Sequence, residues 1–112
     1  MRIECSSKGS HVEMRACLQT KANDSLNELR KAEDDMRKAL AGWNQDTEDI
    51  RQSISRFDTS VKQFNLFRKL QCEFIASLAA GGNGQGDLRL SCIYELNENR
   101  ITQIEQTKAL LK

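Results

Sequence analysis

Four cysteines, one histidine and two arginines standing in apolar register are the groups of this 112-residue chain with chemistry to offer. The cysteines fall at positions 5, 17, 72 and 92, no CxxC pair exists, and the one histidine is His11. A zinc site would have to gather thiolates at irregular separations, unlike the paired spacings of zinc modules. Disulfides in an exported protein suit the cysteine count better. Of the three possible connectivities, local pairing of Cys5 with Cys17 and Cys72 with Cys92 is expected. The first bond would pin the N-terminal arm to a helix, and the second would close the chain around a glycine-rich segment. Each should stabilise the fold by about 3 kcal/mol in the chain-entropy picture. No nucleophile and base stand at a spacing that suggests catalysis, and the carboxylates fall in helical charge runs. The chain reads as a non-enzyme that needs no cofactor and no metal.

The two arginines are Arg68 and Arg100. An apolar register runs through Ile50, Ile54, Phe57, Val61 and Phe64, and its continuation lands on Arg68 and Gln71. The stretch Phe67-Arg68-Lys69-Leu70-Gln71-Cys72-Glu73-Phe74 thus turns an inward face polar beside a cysteine. Arg100 stands seven residues after Ile93, in equivalent register. A buried guanidinium needs a partner. Glu13, Glu73, Asp87 and Glu95 are the carboxylates in range, and Glu13 is expected to join Arg68 and Arg100 in a polar network that fixes helix register. A ligand-facing role for the arginines is the other reading.

Three helices must position these groups. Ser10 with Glu13 three residues on forms a capping-box pattern, after a polar loop around Ser6, Ser7 and Gly9. Leu26, Leu29, Glu33, Met36, Leu40 and Trp43 then alternate in threes and fours, which predicts a helix over residues 10–43. A break follows at Trp43 to Thr47, and a second helix is predicted over 47–80. Four of the six glycines lie in residues 81–87, which predicts the one clear loop. It lacks the Gly-Lys-Ser/Thr ending of a phosphate loop. As an exposed segment it is a candidate partner-binding loop, with Gly82, Asn83, Gln85 and Asp87 as its contact residues. Leu90, Ile93, Leu96, Ile104 and Leu111 mark a third helix over 88–111. The expected fold is all-α, a single domain over 1–112. It is an elongated three-helix bundle, in which two long antiparallel helices form a hairpin and a shorter third packs along one end.

Charge and hydropathy narrow the function. Lys and Arg number 17 against 16 Asp and Glu, a net charge of +1, so no strong pull toward nucleic acid is expected. No apolar run approaches the roughly 20 residues of a membrane span. Met1-Arg2-Ile3-Glu4 has no apolar core of a signal peptide, so a signal is expected to have been removed and Met1 added for expression.

The cysteines and their neighbours also form an ordered set. Cys5 is followed by His11-Val12-Glu13-Met14-Arg15-Ala16-Cys17, and then by Asn23-Asp24-Ser25-Leu26-Asn27. Phe64-Asn65-Leu66-Phe67-Arg68 leads to Cys72-Glu73-Phe74, Gly81-Gly82 comes next, and Cys92 through Leu96 and Asn97 to Arg100 closes the series. From Cys5 to about Ile104 the chain resembles the LprI-type bacterial lysozyme-inhibitor family. That family's pattern has Gln, Asp, Trp and Thr where this chain has His11, Asn23, Phe64 and Asn97. Phe64 keeps an aromatic in the core. The resemblance implies export to the periplasm or beyond, disulfides and, in some members, inhibition of lysozyme. The reading is therefore an exported protein that binds a lysozyme and occludes its glycan-binding cleft. The alternative is a non-catalytic helical module that binds another protein of the bacterial envelope. Animal lysozymes are often strongly basic, and a net charge near zero offers them little steering.

Overall fold

The computed structural model describes residues 5 and 10–111; the polar loop expected at Ser6, Ser7 and Gly9 lies outside them. Within residues 10–111 three helices follow one another: α1, His11–Ala41; α2, Thr47–Ser77; and α3, Gln85–Lys108. Ser10 sits in extended backbone, and its Oγ accepts the Glu13 N–H at 3.1 Å, which starts α1. Gly42 ends it, its N–H returning to the Lys38 carbonyl at 3.1 Å. Glu48 and Asp49 in the first turn of α2 suit the positive end of the helix dipole. After Ser77 the chain reverses through Ala80 and Gly81, whose φ angles of 51° and 84° lie in the left-handed region. Glycine takes that conformation without strain; alanine does not.

The molecule is a rod of 55 × 24 × 16 Å. Its radius of gyration of 17.1 Å exceeds the roughly 13 Å of a compact domain this size. A thin rod has little interior, and its main apolar cluster is short: Leu29, Ala32, Met36 and Leu40 of α1 with Ile104 of α3. Trp43, Ile54, Phe57, Phe64, Ile101 and Leu111 pack around it. Arg37 locks α1 to α2, its Nε donating to Asp58 Oδ1 at 2.7 Å while its guanidinium lies over the Phe57 ring.

The architecture is the expected one, an elongated all-α bundle of two long helices and a shorter third, and only the placement of the third helix differs. It does not sit along one end of a hairpin; it runs beside α1 for most of the rod, from Asp87 near Arg15 to Leu111 near the apolar cluster. Arg15 meets Asp87 and Ser25 meets Asn97, so α1 and α3 run parallel at a constant offset of 72 residues. Contacts between α2 and α3 run the other way, with Glu73 on Arg89, Arg68 on Asn97 and Ser60 on Arg100. Because α3 lies against both long helices, most of it is half-buried and its polar residues find partners on two sides. Its start also differs from the expected loop boundary. Gln85, Gly86 and Asp87 belong to α3, which leaves residues 78–84 as the turn.

Both disulfides form as expected, Cys5–Cys17 and Cys72–Cys92. Cys5 and Cys72 are almost wholly buried. The second bond ties the last turns of α2 to the first turns of α3.

Candidate functional site

Two polar assemblies stand out, one inside the rod and one at its disulfide-bearing end. The inner one is centred on Asn97, whose side chain is fully buried. Its Oδ1 accepts from Arg68 Nη1 at 2.9 Å, and its Nδ2 donates to Ser25 Oγ at 3.0 Å. The Ser25 hydroxyl donates onward to the Ala22 carbonyl at 2.8 Å. Arg68 also donates through Nη2 to Asn65 Oδ1 at 3.0 Å. One chain of hydrogen bonds thus runs through all three helices.

Arg68 and Arg100 both lie over the Phe64 ring, their guanidinium carbons 5.4 and 5.5 Å from its centroid. Arg100 donates to Ser60 Oγ at 3.1 Å, whereas its buried Nε has no partner among the described residues. Burial, and next the Arg30 cation, lower the Arg68 guanidinium from its usual value, and Glu33 partly offsets them. An arginine stays charged under such pressure.

Glu13 is the correction. It is exposed and takes no part in this network. The register places Ser25 opposite Asn97, and Glu13 lies twelve residues earlier on α1, about 18 Å back along the helix. The carboxylate near the arginines is Glu33, only 4 % exposed.

The outer assembly joins the turn to α1. Arg15 Nε donates to Asp87 Oδ1 at 2.5 Å, and its Nη2 donates to the Asn83 carbonyl at 3.3 Å. His11 lies 3.5 Å from the same Asp87 carboxylate. A Cβ on Gly86 would stand 3.2 Å from the Arg15 guanidinium, so the glycine there makes room for the clamp. Of the four residues expected to face a partner, Gly82 and Asn83 are exposed at the turn. Gln85 is half-buried at the start of α3, and the Asp87 side chain, only 14 % exposed, is committed to Arg15.

Beside this end, between α1 and α3, lies an open groove of about 620 Å³. Glu13, Asp24, Glu28 and Glu98 set four carboxylates around it against one ammonium, that of Lys21. Lys21 Nζ stands 5.9 Å above the Tyr94 ring on the same wall. The near-neutral chain therefore carries a concentrated negative patch.

Residues 4–104 match the family model described as Lysozyme inhibitor LprI. The chain belongs to the LprI lysozyme-inhibitor family. No curated protein and no solved structure matches it. LprI proteins are inhibitors rather than catalysts, and an extracellular or periplasmic setting goes with the family. Two disulfides are consistent with that setting. No helix among the described residues is long and apolar enough to cross a membrane.

Within this LprI protein, sequence reasoning missed Asn97, Ser25 and Arg15. Asn97 was visible only as a departure from the LprI pattern, which has threonine there. Glu33 stood in the apolar register of α1 without being weighed, and its setting yields a pH prediction. Burial raises its carboxyl above the ordinary glutamate range, and Arg30, Arg37, Arg68 and Arg100 offset this only in part. The folded chain therefore holds a proton there more tightly than the unfolded chain does. The stability tied to that proton is full below about pH 4.3 and is lost as pH rises through the raised value. Glu33→Gln is expected to melt above wild type at pH 7, the gap closing as pH falls toward 4. Thermal melts across that range check it; a gap that widens in acid would place the arginines ahead of burial.

Proposed function

We propose that the protein binds a lysozyme through its disulfide-bearing end and blocks the glycan-binding cleft by filling it, with no chemistry of its own. The observation that carries this reading is the conjunction of a braced glycine turn at one narrow end of the rod and an acidic groove that runs from that end along α1 and α3. Glycoside hydrolysis needs the sugar chain seated between two carboxyl groups. Any segment that occupies that seat stops the reaction. The turn at Gly81, Gly82 and Asn83 has little side-chain bulk, so its backbone can enter a cleft, and the Asn83 amide offers both a donor and an acceptor. Cys72–Cys92 and Arg15 hold the turn in place before binding, which lowers the entropy lost on docking. The carboxylates of the groove supply the steering toward a basic enzyme that net charge alone does not.

A cell-wall turbidity assay tests this. Wild-type protein should slow clearing by lysozyme in proportion to its concentration. Asn83→Ala with Gln85→Ala should weaken inhibition several-fold while stability stays within about 0.5 kcal/mol. Asp24→Lys with Glu28→Lys should slow association and flatten its salt dependence. Clearing that saturating wild-type protein does not slow would reject lysozyme as the partner. A non-catalytic module for another envelope protein would then be the better reading.

A further inference from the structure

Arg100 has more hydrogen-bonding capacity than the fold uses. A guanidinium carries five N–H donors. Among the described residues Arg100 spends Nη2 on Ser60 Oγ at 3.1 Å and Nη1 on Gln103 Oε1 at 3.4 Å, the second a long bond that is readily exchanged. Both partners are neutral. Glu33 is a carboxyl whose charge Arg100 feels, but Glu33 is shared with Arg30, Arg37 and Arg68. The cation therefore stands only partly answered, and it stands at a cavity. A space of about 230 Å³ lies between the three helices, with Arg100, Ser60, Gln103 and Thr107 as its polar lining and Met36, Phe57 and Ile104 as its apolar lining. The guanidinium is bonded to two of the wall residues, so it forms part of the wall itself. Gln103 and Thr107 are exposed, which places that wall within reach of solvent. The glycine turn is remote, since Asp87 and Gln103 are sixteen residues apart on α3, about 24 Å.

The lining selects its occupant. The Ser60 hydroxyl donates to the Phe57 carbonyl at 2.7 Å, and the Thr107 hydroxyl donates to the Gln103 carbonyl at 2.9 Å. Their protons are committed. What the wall has left to give is guanidinium N–H from Arg100 and amide N–H from Gln103, donors of which one is charged. Such a set calls for an anion, and a carboxylate matches the planar fork of an arginine. The apolar lining calls for a hydrocarbon stem, which gains by leaving water. Phosphate has no such stem. Roughly seven or eight water volumes of about 30 Å³ fill the space, which is below the ~300 Å³ of a drug-sized pocket. We infer that the cavity binds a short aliphatic carboxylic acid, its carboxylate on Arg100 and Gln103 and its alkyl stem against Met36, Phe57 and Ile104. The end of a peptide fits less well. Its amide N–H would need an acceptor, and the Ser60 and Gln103 oxygens already accept from Arg100.

Titration of the full chain with sodium hexanoate, followed by amide proton–nitrogen NMR, tests the inference. Shifts at Ser60, Arg100, Gln103 and Ile104 should saturate together with a Kd of about 1 mM, the scale for a ligand of so few atoms. The amides of Gly81, Gly82 and Asn83 should stay in place. Hexanamide, which keeps the stem and loses the charge, should bind at least about tenfold more weakly, and so should inorganic phosphate. Arg100→Gln should cost a similar factor. Because Arg100 also bonds Ser60, Gln103→Glu supplies the test that leaves the fold intact. Position 103 is exposed, and the new carboxylate would take the free N–H groups of Arg100 for itself. That variant should melt no lower than wild type and lose hexanoate binding. Hexanoate that saturates no shift at the cavity overturns the proposal. So does hexanamide or phosphate that binds as well as hexanoate, or a folded Gln103→Glu chain that still binds it. N-acetylleucine binding more tightly than hexanoate overturns the assignment to a simple acid and gives the cavity to a peptide end.

Discussion

Asn97→Leu is expected to destabilise the fold by about 3 kcal/mol or more, although it replaces a side chain with one of similar size and greater hydrophobicity. The reason is what it strands. Asn97 accepts from Arg68 and donates to Ser25, and its side chain is fully buried. Leucine leaves a half-buried guanidinium N–H without its acceptor and a buried hydroxyl without its donor. An unsatisfied neutral group costs about 1–3 kcal/mol and a charged one more. A loss of 3 kcal/mol corresponds to a melting shift on the order of 10–20 °C in a chain of this length. Asn97→Thr, the residue of the LprI pattern, keeps a hydroxyl that can serve one of the two neighbours and should lose less. Ser25→Ala should lose about 1 kcal/mol, and combining it with Asn97→Leu should cost less than the two losses added, because they share a bond. Urea unfolding of wild type and the four variants measures all of this. An Asn97→Leu chain as stable as wild type would mean that the network orders the core without stabilising it.

Arg68→Ala acts on the same network from the other side. The groups it strands are Asn97 Oδ1 and, through charge, Glu33, not the exposed Glu13. The loss should still be about 3 kcal/mol, since removing one partner of a buried charge is costly whichever group is left.

The apolar periods of α1 and α2 were legible because each long helix buries one stripe, and residues at three- and four-fold spacing record it. The local disulfides were legible because each joins cysteines whose intervening chain can fold back on itself. The Asn97 hub was not, because α3 is covered by two helices and its sequence mixes polar and apolar residues at half-buried positions. A buried asparagine and an exposed one look alike in such a stretch; only the 72-residue offset between α1 and α3 brings Ser25 to it, and no local pattern sets that offset. The residues at the turn were misread for a related reason. Glycine at 86 suggested a loop, yet it serves a helix that must pass close to Arg15. The outer apolar face of α2, with Phe67, Leu70 and Phe74, lies within a run that also contains the inward register, and the sequence does not separate the two.

The second large effect belongs to the bond across the turn. Cys72→Ala with Cys92→Ala should lower stability by about 3 kcal/mol, the value expected for a closed loop of this length. Breaking Cys5–Cys17 instead closes a shorter span, twelve residues against twenty, and should cost somewhat less. The two bonds should differ more in function than in stability. Cys72–Cys92 holds α2 and α3 together on either side of the Gly81–Gly82 turn, so its loss lets the turn splay. Arg15, through Asn83 and Asp87, and the Glu73–Arg89 ion pair then anchor it. If that turn enters the lysozyme cleft, inhibition should fall several-fold at temperatures where the variant is still folded, because the turn must be ordered on binding rather than beforehand. The Cys5–Cys17 double variant, Cys5→Ala with Cys17→Ala, should keep most of its inhibition under the same conditions. Melting curves and turbidity assays on the two variants, with thiol titration to confirm that the remaining cysteines are bonded, separate the effects. Equal loss of inhibition in both variants would trace it to general weakening of the rod, and intact inhibition in the Cys72 and Cys92 variant would move the contact surface away from the turn.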